Sequence, residues 1–270
     1  MFDFGSNWLS FSQRALDAEK VTQARGDFRR LFKNVELSAR TFLDIGFGQG
    51  LSSFIAAENG ARVYGCDINQ RCIDAANSTA RLFPGVSIDQ INLVVGSILD
   101  QPVVARLQAL SEGGFDVVHS WGVLHHTGNM KLALEHAASL VRPQGTLVLA
   151  IYNKHVTSRL WLWIKWLYCK CPALLQRLLI AVFYPIIWVA KFLVTGRNPT
   201  IQDRGMDFYY NVIDWVGGYP YEYASIDDMQ QMLRKLGFRC ETAIPSNVPT
   251  GCNEFVFRRD ALPETKSTDD

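Results

Sequence analysis

The stretch FLDIGFGQG at residues 42–50 joins a short apolar run to an acidic residue and three glycines at two-residue spacing. The apolar run predicts a short buried strand. The glycines Gly46, Gly48 and Gly50 leave no Cβ where the backbone turns, which lets a ligand approach the chain closely. An apolar helix follows from Leu51, and the free N–H groups of a helix N-terminus suit a polar or anionic ligand group.

A second strand pattern strengthens this interpretation. Residues 62–69, RVYGCDIN, predict a strand that ends at Asp67. An acidic residue roughly 20 positions beyond such a glycine turn is spaced to meet the two hydroxyls of a ribose. The glycine stretch alone is also compatible with a tight turn that binds nothing. The two patterns together predict an adenosine-type ligand.

The glycine spacing bears on which adenosine cofactor is bound. A dinucleotide fingerprint has the form G-x-G-x-x-G, whereas here the third glycine comes one position early, at Gly50, and Leu51 takes its place. Asp44 precedes the first glycine, where its charge repels a pyrophosphate but attracts a sulfonium or an ammonium group. The motif D-x-G-x-G-x-G resembles the first motif of the class I S-adenosylmethionine-dependent methyltransferases. That resemblance implies S-adenosylmethionine as the cofactor.

Composition excludes some classes of function. The chain has 270 residues and a formal net charge of +1, which gives no overall bias towards nucleic acid. The six cysteines lack C-x-x-C spacing, so we expect them to be reduced and expect no metal site. The N-terminus shows no charged segment followed by a long apolar core, and we therefore expect a cytoplasmic protein.

Strand and helix patterns alternate through the first half of the chain, which predicts a parallel, doubly wound sheet. The apolar spacing predicts one amphipathic helix over residues 11–33 that covers the sheet edge. Two late segments, FRCETAI and NEFVFRR, predict a closing antiparallel hairpin. We expect an α/β, Rossmann-like sheet of about seven strands, mostly parallel with an antiparallel last strand, and a helical insertion after strand five.

The predicted organisation has five parts. Residues 1–36 form an N-terminal helical segment or lid, and residues 37–154 form the cofactor-binding α/β core. Residues 155–224 form an apolar and basic helical cap. Residues 225–260 supply a helix and the hairpin that complete the core. Residues 261–270 are polar and predict a disordered tail.

The family resemblance implies further cofactor contacts. It puts Ser97 and Ile98, just past the third strand, against the adenine, although many relatives have Asp where Ser97 stands. It puts the loop after the fourth strand beside cofactor and substrate, where Trp121 can attract a sulfonium through its ring face. Methyltransferases often fold their N-terminal segment over the cofactor, so Trp8 either closes the site or anchors the terminus. The predicted cofactor-binding residues are Asp44, Gly46, Gly48, Gly50, Asp67, Ile68, Ser97, Ile98 and Trp121.

Two adjacent histidines in the fourth-strand loop, His125 and His126, are the predicted catalytic residues, because histidine titrates nearest neutrality. His126 is preferred, because its side chain points to the same side as that of Leu124 if the strand geometry continues. The alternative is that this loop only ends a strand and caps a helix. The weaker candidates for substrate contact are Tyr152, Asn153, Arg204, Asp214, Tyr219 and Glu222.

The middle of the chain contains no acidic residues. Residues 136–202 contain no Asp or Glu but eight Lys or Arg. Residues 178–190 form an uninterrupted apolar run of 13 residues, which predicts a segment too short to span a bilayer. We expect either a cap over an apolar substrate tunnel or a cap that also contacts anionic membrane through residues 156–195. The apolar, aromatic composition disfavours a nucleic-acid surface.

The motifs FGSNW, SWGVLHHTGNM, DWVGGYPYEYA and GCNEFVFRR resemble a bacterial group labelled by similarity to ubiquinone-biosynthesis O-methyltransferases. The resemblance implies methyl transfer from S-adenosylmethionine to a hydroxyl of a small hydrophobic acceptor, by an in-line displacement that needs alignment and a base but no metal. An RNA methyltransferase of the wobble-uridine type is one alternative. A non-catalytic, membrane-associated binding protein on the same fold is another. The sequence gives no indication of the oligomeric state.

Overall fold

A computed structural model of the chain describes residues 2–200, 205–249 and 251–261. The candidate Arg204 and residues 262–270 of the predicted tail lie outside the described residues.

The core is one seven-stranded sheet. Its strands are β1 Thr41–Ile45, β2 Arg62–Asp67, β3 Asn92–Val95, β4 Phe115–Trp121, β5 Val141–Tyr152, β6 Phe238–Ile244 and β7 Cys252–Arg259. The strands lie in the order β3-β2-β1-β4-β5-β7-β6. Pairing is parallel from β3 to β5, and β7 runs antiparallel to both β5 and β6. The predicted α/β, doubly wound sheet with an antiparallel last strand is confirmed.

Helices cover both faces of this sheet. They are α1 Phe4–Arg14, α2 Ala18–Leu31, α3 Leu51–Glu58, α4 Arg71–Ala80, α5 Gln101–Ala109, α6 Met130–Ser139, α7 Ser158–Lys170, α8 Ala173–Thr195, α9 Phe208–Gly217 and α10 Ile226–Lys235. On one face, Leu107, Leu134 and Leu233 bring α5, α6 and α10 into a single buried cluster. On the other, Phe28 and Phe54 do the same for α2 and α3. The strand order reverses between β1 and β4, so a crevice opens at the carboxyl ends of these strands.

The N-terminal segment contains two helices, and the prediction of one helix over residues 11–33 is wrong. Asp17 is extended, with φ −137° and ψ 177°, and its carboxylate accepts a hydrogen bond from the Lys20 N–H at 2.9 Å. Such an N-cap begins a new helix. The apolar spacing runs on through both helices, so periodicity alone does not reveal the break.

Helix α2 covers the centre of the sheet and not its edge, which corrects a second expectation. The Phe28 and Phe32 rings stack with centroids 4.1 Å apart, and both pack on Phe42 of β1. The edge strands are β3 and β6. The apolar face of α2 is therefore used to bury the central strands.

The predicted insertion after β5 contains helices α7, α8 and α9. Helix α8 is 23 residues long and continues through Pro185, so it is much longer than the apolar run that predicts it. Arg177 and Lys191 bound that run in sequence but do not end the helix. Within the described part of the chain, α8 is the one helix long and apolar enough to cross a membrane by length and composition, and only 6% of its most apolar window is buried.

The N-terminus of α10 is capped by the side chain of Ser225. Ser225 Oγ accepts a hydrogen bond from the Asp228 N–H, and the Asp228 carboxylate accepts one from the Ser225 N–H, both at 3.1 Å. Ser225 and Asp228 thus form a reciprocal capping box. Replacing Ser225 with Ala should lower the free energy of unfolding by about 1 kcal/mol, because the Asp228 N–H loses its partner. Urea unfolding measures the change.

The control is Ser225→Thr, which keeps the hydroxyl group and should stay near wild-type stability. Equal loss in both variants would show that the capping hydrogen bond is not what stabilises this end of α10.

Candidate active site

A cavity of about 1220 Å³ lies at the carboxyl ends of the parallel strands, at the position where the strand order reverses. Its floor is made by residues at the ends of β1, β2, β4 and β5, and its roof by side chains of α1, α7, α8 and α9. The floor includes Asp44, Gly46, Gly48, Asp67, Ser97, Trp121, His126 and Tyr152. The roof includes Trp8, Trp161, Ile187, Val194, Asp214 and Trp215.

The glycine turn adopts a backbone that other residues avoid. Gly46, Gly48 and Gly50 have φ values of 73°, 54° and 76°. A Cβ on Gly46 would collide with the side chain of Val123, and one on Gly48 would lie 3.2 Å from Trp8 Nε1. Gly46 and Gly48 line the cavity, whereas Gly50 begins α3 behind it. The first two glycines therefore expose backbone to a ligand, and the third shapes the turn.

Asp67 lies at the end of β2 and faces the cavity. Its Oδ2 accepts a hydrogen bond from the Gly48 N–H at 3.0 Å, and its Oδ1 accepts one from the Asn69 N–H at 2.9 Å. Burial raises the pKa of Asp67, and these backbone donors oppose that shift. A carboxylate has about four acceptor positions, so Asp67 keeps capacity for a ligand hydroxyl.

Asp44 is almost fully buried at the end of β1, and both of its oxygens have partners. Oδ1 lies 2.8 Å from Nδ1 of His119, and Oδ2 accepts a hydrogen bond from Ser53 Oγ at 2.7 Å. His119 on β4 also lines the cavity, and its Nε2 has no hydrogen-bond partner in the described structure. The sequence analysis missed His119, because it lies opposite Asp44 only once β1 and β4 are paired.

The other predicted cofactor residues also line the cavity. Ile68 is 61% exposed, whereas Ile98 is buried, and Ser97 lies beside it. Trp121 Nε1 donates a hydrogen bond to Glu254 Oε1 at 3.1 Å, and Arg30 Nη2 lies 2.9 Å from Glu254 Oε2. The Trp121 ring is therefore held by a carboxylate of β7 that the sequence analysis did not single out.

The two candidate catalytic histidines have different positions. β4 ends at Trp121, and residues Leu124–His126 form a short 3-10 helix, so the strand-direction argument for His126 is wrong. His125 is fully buried, lies outside the cavity lining, and has its pKa lowered well below the usual value by that burial. His126 does line the cavity.

His126 is held in the neutral form. Its Nδ1 donates a hydrogen bond to the Pro220 carbonyl at 2.6 Å. Burial, helped by the positive charge of Lys165, lowers the pKa of His126 to about 3. A group that binds a proton so weakly is a poor base at neutral pH.

Two of the weaker substrate candidates, Tyr152 and Asp214, line the cavity. Asp214 Oδ1 accepts a hydrogen bond from Asn7 Nδ2 at 2.7 Å. Burial raises the pKa of Asp214 to about 7, while Asn7 and then Lys165 act in the opposite direction. Asp214 is therefore a carboxyl group of the cavity wall that titrates near neutrality.

Three other candidates have structural partners and do not themselves line the cavity. The Glu222 carboxylate accepts the Met130 N–H at 2.9 Å, at the start of α6. Asn153 Nδ2 donates to the Pro249 carbonyl at 3.1 Å. The Tyr219 carbonyl accepts the Phe2 N–H at 3.0 Å. None of the three appears in the cavity lining.

Helix α1 spans the cavity and touches both of its halves. Trp8 lies over Gly48, and Asn7 contacts Asp214. The ring of Phe4 packs on His126 with centroids 4.8 Å apart. The N-terminal segment therefore forms part of the cavity roof, and of the two alternatives for Trp8 its position agrees with closing the site. Among residues 2–200, 205–249 and 251–261, no three His, Cys, Asp or Glu side chains converge as a metal site.

Comparison with known proteins agrees with this geometry. Residues 17–243 match the family described as a methyltransferase domain. The chain belongs to this family. The predicted resemblance to methyltransferases is confirmed.

Curated relatives match less than half of the chain. The ubiquinone biosynthesis O-methyltransferase of Agrobacterium fabrum (strain C58 / ATCC 33970) is 36% identical over 118 residues, which are 43% of this chain and 42% of that protein. The ubiquinone biosynthesis O-methyltransferase of Paraburkholderia xenovorans (strain LB400) is 29% identical over 127 residues, 47% of this chain and 50% of that protein. The chain thus spans half or less of the length of these relatives.

A solved structure extends the likeness in fold. The magnesium protoporphyrin IX methyltransferase of Synechocystis PCC 6803, crystallised with bound SAH, superposes with a TM-score of 0.53 at 17% identity, covering 90% of this chain and 84% of that one. At this identity the likeness concerns the fold alone, and the Rossmann-like methyltransferase fold is confirmed.

Asp67 provides a direct test of the cofactor-binding half. Asp67→Ala should weaken binding of S-adenosylmethionine at least about tenfold, because a bond from a hydroxyl to a charged acceptor contributes about 1.5–3 kcal/mol. Isothermal titration calorimetry measures the affinity. The matched control is Asp74→Ala, which removes an exposed carboxylate from α4 and should bind as wild type does.

Unchanged affinity in Asp67→Ala would remove Asp67 from the cofactor site. Absence of binding by the wild type would contradict the assignment of the cofactor itself.

Proposed function

We propose that this protein transfers the methyl group of S-adenosylmethionine to a hydroxyl of a small hydrophobic acceptor. One observation carries the proposal: a single cavity joins the glycine turn and Asp67 to an aromatic wall that contains a carboxyl group, Asp214. Membership of the methyltransferase family supports the reaction. Transfer to oxygen is supported by the activity named for the curated relatives.

The floor of the cavity fits the donor. In this proposal the backbone of the turn at Gly46 and Gly48 contacts the amino-acid end, Asp67 receives the ribose hydroxyls, and Ser97 and Ile98 border the adenine. The bound donor supplies an activated methyl group. The carboxylate of Asp44 favours the positive charge of the sulfonium and ammonium groups. Glycine at 46 and 48 is needed because both residues have a positive φ and a Cβ would collide with Val123 or crowd Trp8.

The roof fits an apolar acceptor. Its Trp161 and Trp215 rings lie 5.0 Å apart between centroids, and Trp215 meets Tyr152 of the floor at 5.2 Å. Ile187 and Val194 of α8 add aliphatic surface. Such a wall excludes water and holds a hydrophobic molecule by burial of apolar area. A charged or strongly polar acceptor would lose hydration there without compensation.

Asp214 is the base that the geometry supports best. In the transfer, a bond forms between the acceptor oxygen and the methyl carbon as the carbon–sulfur bond breaks, and the hydroxyl proton passes to a base. A base with a pKa near the working pH is the most effective. Asp214 meets that condition with a pKa of about 7, whereas the pKa of His126 is about 3. We therefore rank Asp214 before His126, and His125 last because it lies outside the cavity.

Asp214→Asn tests this assignment. The change keeps the shape of the side chain but removes proton uptake, so methyl transfer should fall about 10²- to 10⁴-fold while affinity for S-adenosylmethionine is kept. Transfer of labelled methyl into lipid-soluble material of a cell extract measures the rate and, by mass spectrometry of the product, identifies the acceptor. In the wild type the rate should rise with pH through about 7, as Asp214 loses its proton.

His126→Gln is the companion variant. A large loss in His126→Gln with normal transfer in Asp214→Asn would move the base to the histidine. If wild-type protein binds the cofactor but no methyl enters any acceptor, the chain is a binding protein on a methyltransferase fold. Transfer into RNA that weakens steeply with salt would favour the RNA alternative, which the near-neutral charge of +1 and the apolar insertion oppose.

We further propose that the protein is cytoplasmic and contacts an anionic membrane surface through residues 156–195. The outer side of this segment carries large exposed apolar side chains. Among them are Val156, which is 90% exposed, Trp163 at 67%, Leu174 at 81% and Leu193 at 75%. Soluble proteins rarely leave so much contiguous apolar surface in water. Lysines and arginines without acids accompany this surface, which is the charge pattern that anionic lipid attracts.

The same helix connects this surface with the cavity. Ile187, Ala190 and Val194 of α8 line the cavity, while Val189 and Leu193 are exposed. An acceptor dissolved in lipid would therefore enter the site along α8 without crossing water. This route supports a hydrophobic acceptor.

Leu193→Glu should reduce flotation of the protein with anionic phosphatidylglycerol vesicles at low salt, because a charge is costly at an apolar lipid contact. Gln108→Glu adds the same charge at an exposed site on α5 and should float as wild type does. Wild-type protein that stays in the soluble fraction would contradict the membrane contact. A dimer that dissociates in Leu193→Glu would assign this face to a second copy of the chain.

A further inference from the structure

Lys165 on α7 is completely buried, although its neighbours Trp163 and Trp166 are exposed. Its ammonium nitrogen lies 4.6 Å from the centroid of the Trp215 ring, 4.8 Å from that of Tyr221 and 5.5 Å from that of Tyr152. The same nitrogen donates a hydrogen bond to the Trp215 carbonyl. Lys165 is therefore enclosed by three aromatic rings and fixed to the backbone of α9.

This burial requires an explanation, because removing an ammonium group from water is costly even when aromatic rings surround it. An apolar side chain of similar length would fill the space at lower cost. Lys165 is not part of the cavity lining, so it does not contact a ligand there. It lies behind the wall that Tyr152 and Trp215 form.

The bond from Lys165 ends on the residue that follows Asp214 in α9. Asp214 and Trp215 both line the cavity. The Lys165 ammonium group thus holds the turn of α9 that carries the Asp214 carboxyl group. It also places a positive charge behind the cavity wall, near that carboxyl group. Asn7 of α1 holds the Asp214 oxygen from another side.

We propose that Lys165 is a positioning residue that fixes the Asp214–Trp215 turn at the cavity wall and favours the ionised form of the Asp214 carboxyl group. The inference rests on the proposed role of Asp214 as the base. Its structural part can be tested without any turnover.

Among the residues that the structure describes, the other groups near Asp214 do not supply a competing charge near neutrality. Tyr168 of α7 has its pKa raised to about 12 by burial, and Tyr152 of β5 has its pKa raised well above the usual value by the same cause. His126, in the short 3-10 helix, has a pKa of about 3 and is uncharged. Asn7 is neutral at every pH.

Lys165 and Asp214 influence each other. Burial lowers the pKa of Lys165 to about 7, and the Asp214 charge acts to raise it. Burial raises the pKa of Asp214 to about 7, and Lys165 acts to lower it. Two groups coupled in this way titrate as a pair.

The test is an NMR titration of the full chain labelled with ¹³C at the aspartate carboxyl carbons, with the Asp214 signal assigned by its loss in Asp214→Asn. In Lys165→Met the Asp214 midpoint should move up by about one pH unit or more, because a nearby positive charge is lost. Lys170→Met removes an exposed lysine from the same helix and should leave the midpoint unchanged. Lys165→Arg, which keeps the charge, should stay closer to wild type than Lys165→Met does.

An unmoved midpoint in Lys165→Met overturns the proposal, whatever the methyl-transfer assay shows. If that variant does not fold, the reciprocal measurement decides: the ¹⁵Nζ signal of Lys165 should titrate at lower pH in Asp214→Asn than in wild type, and equal midpoints contradict the coupling. A shifted midpoint with full activity in Asp214→Asn would keep the coupling and reject Asp214 as the base, so the two ideas fail separately.

Discussion

The hydrogen bond between Asp44 and His119, 2.8 Å long and buried, joins the two strands at which the sheet reverses its order. Parallel strands on either side of this junction send their helices to opposite faces, and the crevice opens at the carboxyl ends. Asp44 leads directly into the glycine turn, and His119 is followed by Trp121 at the end of β4 and then by the loop that contains His126. The pair therefore sets the distance between the two loops that form the floor of the site.

Local chemistry accounts for what the sequence predicts well. The glycine turn, the strand that ends at Asp67, the capping box at Ser225 and the closing hairpin depend on residues close together in the chain. The apolar alternation then gives the sheet and its antiparallel last strand. The relative positions of residues far apart in the chain do not follow from such local patterns. His119 faces Asp44 because β1 and β4 pair in one particular register, and no local sequence pattern encodes that register.

Burial explains the remaining differences between the sequence-based predictions and the structure. The break at Asp17 leaves the apolar spacing intact, because both helices pack on the same core. His125 and His126 look alike in sequence, yet only His126 reaches the cavity. Lys165 resembles the other cations of the acid-free segment, but it is enclosed by aromatic rings that come from β5, α9 and the loop after it. Charge state in a protein depends on surroundings that only the fold brings together.

Helix α1 lies over the glycine turn through Trp8 and holds the Asp214 oxygen through Asn7. Any movement of α1 that accompanies exchange of the donor would alter both of these contacts at once. The Asn7 hydrogen bond lowers the pKa of Asp214 against the larger, opposite effect of burial. The donor half of the cavity and the surroundings of the Asp214 carboxyl group are thus linked through one helix and one amide side chain.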